Sequence, residues 1–102
     1  MAKVEDTKLH FMTTYKGIEN AFIIDVRTKD EYDAGHIKDA INVNFYDPDF
    51  IENMKKVCEG KKPFIYCRSG GRSAKAVQML KDIGIVSEDM PGGMMAYRDL
   101  VG

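Results

Sequence analysis

The stretch Phe64-Ile65-Tyr66-Cys67-Arg68-Ser69-Gly70-Gly71-Arg72-Ser73 decides the fold. Its first three residues are an uninterrupted apolar run, which reads as a buried strand. The run ends at a cysteine and passes into a loop with two glycines and two arginines. From Ser73 onward, Ala74, Val77, Leu80 and Ile83 recur at helical spacing, and Gly84 closes the segment. A buried strand, a glycine-bearing turn and a helix place Cys67 at the carboxyl edge of a sheet. Open α/β folds bind their ligands at that edge.

Working outward, Phe22-Ile23-Ile24-Asp25-Val26 is a second run rich in branched apolar residues and reads as a buried, parallel strand. A helical turn over 28–34 follows, with Thr28 or Asp30 as cap and Gly35 as stop. Ala40-Ile41-Asn42-Val43-Asn44 alternates and reads as a short strand. Asp47-Pro48-Asp49 starts a helix whose apolar face is Phe50, Ile51, Met54 and Val57, and Gly60 to Pro63 ends it. Ile85-Val86 and Met90 flank a last short strand, and Pro91-Gly92-Gly93 forms a turn before a final helical segment over 94–100. An N-terminal helix capped by Asp6 or Thr7 carries Leu9 and Met12. Strands alternating with helices imply an α/β domain with a mainly parallel sheet.

The loop at 67–73 favours an anion. Its glycines let the backbone curl so that successive N–H groups point inward. The following helix adds about half a positive charge at its N-terminus. Arg68 and Arg72 bring two cations. Helix N-termini and neighbouring cations pull a cysteine pKa from about 8.5 to roughly 3.5–7.5. Cys67 is therefore expected to be a thiolate near neutral pH, open to solvent. The alternative is a buried structural cysteine; the flanking glycines and arginines favour the reactive reading.

Composition narrows the function classes. The chain has 102 residues and reads as one domain over 1–102. It is 44% hydrophobic and 30% charged, with a net charge of −1. That balance argues against a broad nucleic-acid footprint while leaving room for a local anion site. No apolar stretch reaches the roughly 20 residues of a membrane span, so no membrane partner is expected. The first ten residues lack the apolar segment of a secretory signal, and a reducing cytoplasm is the expected setting. Two cysteines, Cys58 and Cys67, are too few for a disulfide framework, and no metal-ligand cluster or cofactor motif appears. Cys58 reads as a half-buried apolar residue; as a resolving thiol it would have to come within disulfide reach of Cys67. The seven methionines read as core filler, and Met94 and Met95 could instead form a partner-facing patch.

The loop quoted above resembles the active-site loop of the rhodanese family of sulfurtransferases. Upstream, Asp25-Val26-Arg27, Glu31-Tyr32, Gly35-His36-Ile37 and Ala40 with Asn42 are similar to the family's N-terminal signature. Downstream, Gly92-Gly93 with Tyr97 is similar to its C-terminal signature, with Tyr97 where the family usually has Trp. The resemblance spans about residues 20–98. It implies a rhodanese-like fold, a five-stranded mainly parallel sheet with helices on both faces. It implies that Cys67 takes the sulfane sulfur of a small anionic donor such as thiosulfate, carries it as a persulfide, and passes it to cyanide, a thiol or a partner protein. The N–H groups over Arg68, Ser69, Gly70, Gly71, Arg72 and Ser73 would stabilise the persulfide, and Arg68 and Arg72 would hold the donor's oxyanion. Arg27 is expected to border the pocket, and Asp25 to be a structural hydrogen-bond acceptor. His36 is expected to orient its loop, with Glu31 and Tyr32 tethering it.

Two other classes compete. Cysteine-dependent phosphatases and arsenate reductases of related fold have one residue more between Cys and Arg than the four found here between Cys67 and Arg72. The shorter loop suits a sulfur atom better than a whole phosphate. Non-catalytic docking modules of the same fold typically lack the cysteine or the loop glycines, both of which this chain keeps.

Overall fold

The apolar runs at Phe22–Val26 and Phe64–Tyr66 form the two central strands of a parallel sheet. A computed structural model describes residues 21–37, 39–68, 70–89 and 93. Strands β1 (Ala21–Asp25), β2 (Ile41–Asn42), β3 (Lys62–Tyr66) and β4 (Glu88–Asp89) are interleaved with helices α1 (Lys29–Asp33), α2 (Phe50–Cys58) and α3 (Gly71–Asp82). The strand order is β2-β1-β3-β4, and every pairing is parallel. Among the described residues there are thus four strands, against the five implied by the resemblance. The expected helices at 6–16 and 94–100 lie outside the described residues, as do Ser69, Tyr97, Met94 and Met95.

Strand period two sorts the core into two layers. Ile24, Val26, Ile65 and Cys67 face Phe50, Met54 and Cys58 of α2 and Ala76 and Leu80 of α3. Ile23, Phe64 and Tyr66 face the other way, against Ile37, Ala40 and Tyr32 of α1. Phe50, Met54 and Cys58 fall four apart, one stripe of a helix. Burying a Phe or Met side chain contributes about 1.5–3 kcal/mol, so this stripe is what fixes α2 to the sheet.

Several element boundaries differ from the sequence reading: β1 is Ala21–Asp25, one residue earlier than expected, and α3 begins at Gly71, before Ser73. Strand β3 begins at Lys62 and includes Pro63, which pairs with Phe22. Near the start of a strand a proline's missing N–H costs little. Regular β2 pairing covers Ile41 and Asn42, and the Val43 and Phe45 amides then bond to the Asp25 and Val26 carbonyls at 2.9 and 3.0 Å. The last strand lies not at the apolar pair Ile85-Val86 but at Glu88–Asp89, paired with Phe64 and Ile65. Among the described residues it pairs with β3 alone, and with Glu88 exposed it needs no apolar run.

The order matters for the site. The chain leaves β1 towards β2, then returns across it to β3. The chain therefore leaves β1 and β3 in opposite directions along the sheet, a switch point of the kind at which open α/β folds bind ligands. Cys67 follows β3 directly.

Candidate active site

The loop after β3 turns back on its own sulfur. Gly70 takes a φ of 113°, a left-handed conformation that glycine adopts without steric cost, and it caps the start of α3. Its N–H donates to the Sγ of Cys67 at 3.0 Å. The Oγ of Ser73, wholly buried in the first turn of α3, lies 3.5 Å from the same sulfur and donates to the Gly70 carbonyl at 3.2 Å. Sγ thus meets an amide and a hydroxyl, with the N-terminus of α3 close by, the setting that favours a negative sulfur. Cys67 itself is 1% exposed, so the expected openness to solvent is corrected. The residue ends a central strand and packs into the core layer beneath α2 and α3.

The two loop arginines differ. Arg72 forms a two-pronged pair with Glu31, Nη1 to Oε1 at 2.8 Å and Nη2 to Oε2 at 3.1 Å, and its guanidinium lies 5.7 Å from the centre of the Tyr46 ring. The hydrogen bond to Glu31 raises the Arg72 pKa against the effect of burial, and the charges of Glu31 and Cys67 add to the rise. Arg68 is exposed and has no ion pair among the described residues. Glu31 is held from both ends: besides Arg72, its Oε1 accepts from the Thr28 backbone N–H at 3.2 Å, while the Thr28 hydroxyl accepts from the Glu31 N–H. This capping box ties α1 to the active loop. The Arg72 hydrogen bond brings the Glu31 carboxyl down to about 2, with the Thr28 bonds assisting and burial opposing.

Arg27 does not border the pocket as expected. Its side chain is 4% exposed and forks onto Asp25, with Nη2 to Oδ2 at 2.7 Å, and the same nitrogen donates to the Gly35 carbonyl at 2.6 Å. Burial opposes its charge, but the Asp25 carboxylate outweighs it and raises the Arg27 pKa. An arginine so deep is retained only with a partner, and Asp25 supplies it. Asp25 is the structural acceptor expected of it: it also receives the Arg27 backbone N–H and the Tyr66 hydroxyl at 2.8 and 2.7 Å. Tyr66 in turn accepts from the Ile37 N–H at 3.1 Å, and burial pushes its pKa up. Sequence reading took Tyr66 only as strand filler. A buried tyrosine beside an aspartate on the neighbouring strand was the available signal, since a buried hydroxyl needs a partner. Asn42 joins the same network, donating to the Asp25 and Arg27 carbonyls at 3.0 Å each.

The remaining residues frame the loop. His36 stacks on Tyr32 with ring centroids 3.7 Å apart and bonds its carbonyl through Nδ1 at 2.9 Å. The Tyr32 hydroxyl donates to the Ala40 carbonyl at 2.6 Å, so this pair braces the segment after α1. Cys58 is buried at the end of α2, and burial pushes its thiol up to about 11. Gly93, with φ 56°, backs directly on the active loop: a Cβ there would collide with the Cys67 carbonyl oxygen and lie 2.8 Å from the carbonyl carbon and oxygen of Arg68.

Comparison with known proteins agrees with this architecture. The family model described as "Rhodanese-like domain" matches residues 12–100. The tRNA uridine(34) hydroxylase of Oceanobacillus iheyensis is 36% identical over 84 residues, covering 78% of this chain and 26% of that protein. Its counterpart from Bacillus thuringiensis is 37% identical over the same length and shares. The chain spans about a quarter of the length of these curated relatives. Among solved structures, a rhodanese-related protein from Thermoplasma volcanium superposes with a TM-score of 0.76 at 28% identity, covering 89% of each chain. A rhodanese-like domain protein from Staphylococcus aureus gives a TM-score of 0.75 at 28% identity, covering 88% of this chain and 86% of its own. With residues 12–100 matched by the family model and the cysteine loop at the carboxyl edge of its parallel sheet, this chain belongs to the rhodanese-like domain family.

Proposed function

We propose that the chain is a sulfurtransferase that carries a sulfane sulfur on Cys67. The observation that supports this most is the Gly70 N–H directed at Sγ over 3.0 Å, in a loop with only four residues between Cys67 and Arg72. In the first step the thiolate attacks the outer sulfur of thiosulfate. An S–S bond forms to Sγ, the donor's own S–S bond breaks, and its electron pair leaves with sulfite. In the second step a cyanide or thiolate attacks the outer sulfur of the persulfide, and the pair from the breaking S–S bond returns to Sγ. Such a covalent route gives ping-pong kinetics. Arg72 is committed to Glu31 and shapes the loop, while exposed Arg68 recruits the anionic donor.

Intact-mass measurement tests the reading. Incubation with thiosulfate adds one sulfur, about 32 Da, to the wild type and none to Cys67→Ser. Sulfur uptake that survives Cys67→Ser, or cleavage of an aryl phosphate that depends on Cys67, overturns it.

The curated relatives support a second reading, in which the same thiol site serves an enzyme acting on tRNA. A net charge of −1 supplies no broad basic face for tRNA, which makes direct tRNA binding by this chain the weaker proposal. Salt-dependent retention of tRNA by the purified chain would reverse that order.

A further inference from the structure

Arg72 sits in the chain between the two residues that touch the Cys67 sulfur: Gly70, whose N–H reaches Sγ at 3.0 Å, and Ser73, whose hydroxyl lies 3.5 Å from it. A guanidinium there suits the oxyanion end of a sulfur donor, because its fork matches two oxygens at once. That fork is already filled. Glu31 presents both carboxylate oxygens to it, Oε1 to Nη1 at 2.8 Å and Oε2 to Nη2 at 3.1 Å. Glu31 is firmly placed on α1: the Thr28 N–H and hydroxyl donate to its Oε1 at 3.2 and 3.1 Å. Its carboxyl, held at about 2 chiefly by the Arg72 hydrogen bond, is charged throughout the neutral range. Arg27 is taken by Asp25 in the same way, so of the three arginines expected at the pocket only Arg68 has no ion pair among the described residues.

We infer that Glu31 is a specificity-determining residue: its carboxylate occupies the Arg72 fork as an internal anion and competes there with the oxyanion end of an incoming donor. The inference rests on the sulfurtransferase reading of Cys67 given above. The pair is within reach of solvent, with the Arg72 and Glu31 side chains 18% and 29% exposed. Tyr46, itself 64% exposed, lies with its ring centre 5.7 Å from the guanidinium. That cation–π contact does not depend on Glu31, so Arg72 keeps a support when the carboxylate is displaced. A tethered carboxylate acts at high effective concentration, and a free anion must outcompete it. A doubly charged donor such as thiosulfate has the most to gain from the fork and is held back most. A donor of lower charge, such as an organic persulfide, needs the fork less and is held back less.

Titration of the Cys67→Ser protein with thiosulfate, followed by NMR at the Gly70 amide, reads donor binding with no sulfur transfer. Adding Glu31→Gln removes the competing charge and is expected to tighten the thiosulfate Kd about tenfold, the worth of one charge-assisted contact. In a background that also carries Arg72→Gln, the same substitution is expected to bring no tightening. Binding that is unchanged, weaker or undetectable with Glu31→Gln overturns the inference, since the pair would then only brace the loop. So does an equal gain with and without Arg72, which would mean that the carboxylate repels the donor through space. Glu31→Ala and Arg72→Ala repeat the series where a Gln variant does not fold. The titrated protein cannot take up sulfur, so this result and the intact-mass result on the wild type fail separately.

Discussion

Arg27 and Arg68 stand at opposite extremes of one residue type. Both neighbour the carboxyl edge of the sheet, yet one is sealed onto Asp25 and the other is exposed. Arg27→Leu leaves Asp25 charged and buried, and is expected to cost about 3–5 kcal/mol of stability by chemical denaturation. Arg68→Ala is expected to leave the denaturation midpoint in place and raise the KM for thiosulfate by roughly tenfold, one charge-assisted contact. Sequence alone could not separate the two: each is an arginine just past an apolar run, and only the register of β1 against β3 sets Asp25 and Tyr66 side by side beneath Arg27. Gly93 was legible as part of a signature but not in its reason. The reason is contact with the Cys67 and Arg68 backbone far away in sequence. Gly93→Ala has neither the room nor the conformation, and is expected to cut sulfur-transfer kcat by at least tenfold, read by cyanide assay, through displacement of the loop.

At the scale of elements, α1 is too short to be stable alone and owes its place to its ends. The sequence offered Thr28 or Asp30 as its cap, and the structure selects Thr28, which forms a capping box with Glu31. That the same Glu31 reaches Arg72, forty-one residues later, was not readable, because the bond crosses from the helix after β1 to the turn after β3. Glu31 carries the pH dependence of this joint. Its folded pKa of about 2 lies below the usual 4.5. The contribution is therefore complete above about 4.5 and disappears as pH falls towards 2. Glu31→Gln is expected to be less stable than wild type at pH 7 by about 1 kcal/mol, a part-exposed pair's worth. The gap should close in acid, as denaturation at successive pH values will show. The misplaced β4 teaches the complementary lesson: Ile85-Val86 looked like a strand by hydrophobicity, whereas pairing geometry selected Glu88–Asp89.

For the molecule as a whole, alternation of apolar runs with helical patterns was enough to give a parallel α/β sheet, because each run needs both faces covered. It was not enough to give the strand order β2-β1-β3-β4, which depends on contacts between distant segments. Both cysteines are buried in one core layer, but that order sets Cys67 at the carboxyl end of β3, where the Gly70 N–H and Ser73 hydroxyl meet its sulfur, and leaves Cys58 at the end of α2. Cys58, with its thiol pushed up to about 11, is expected to resist iodoacetamide in the native protein at neutral pH. It should become labelled in step with denaturant unfolding, which peptide mass mapping will follow. Labelling of Cys58 in the native state would bring a dithiol mechanism back into play.

The fit of Gly93 beneath the Cys67 carbonyl also bears on engineering. Grafting this cysteine turn into a foreign scaffold, or lengthening it to accept phosphate, cannot be done by exchanging the local sequence only. The floor on which the turn sits comes from a glycine twenty-six positions downstream, so the two pieces must be transplanted together.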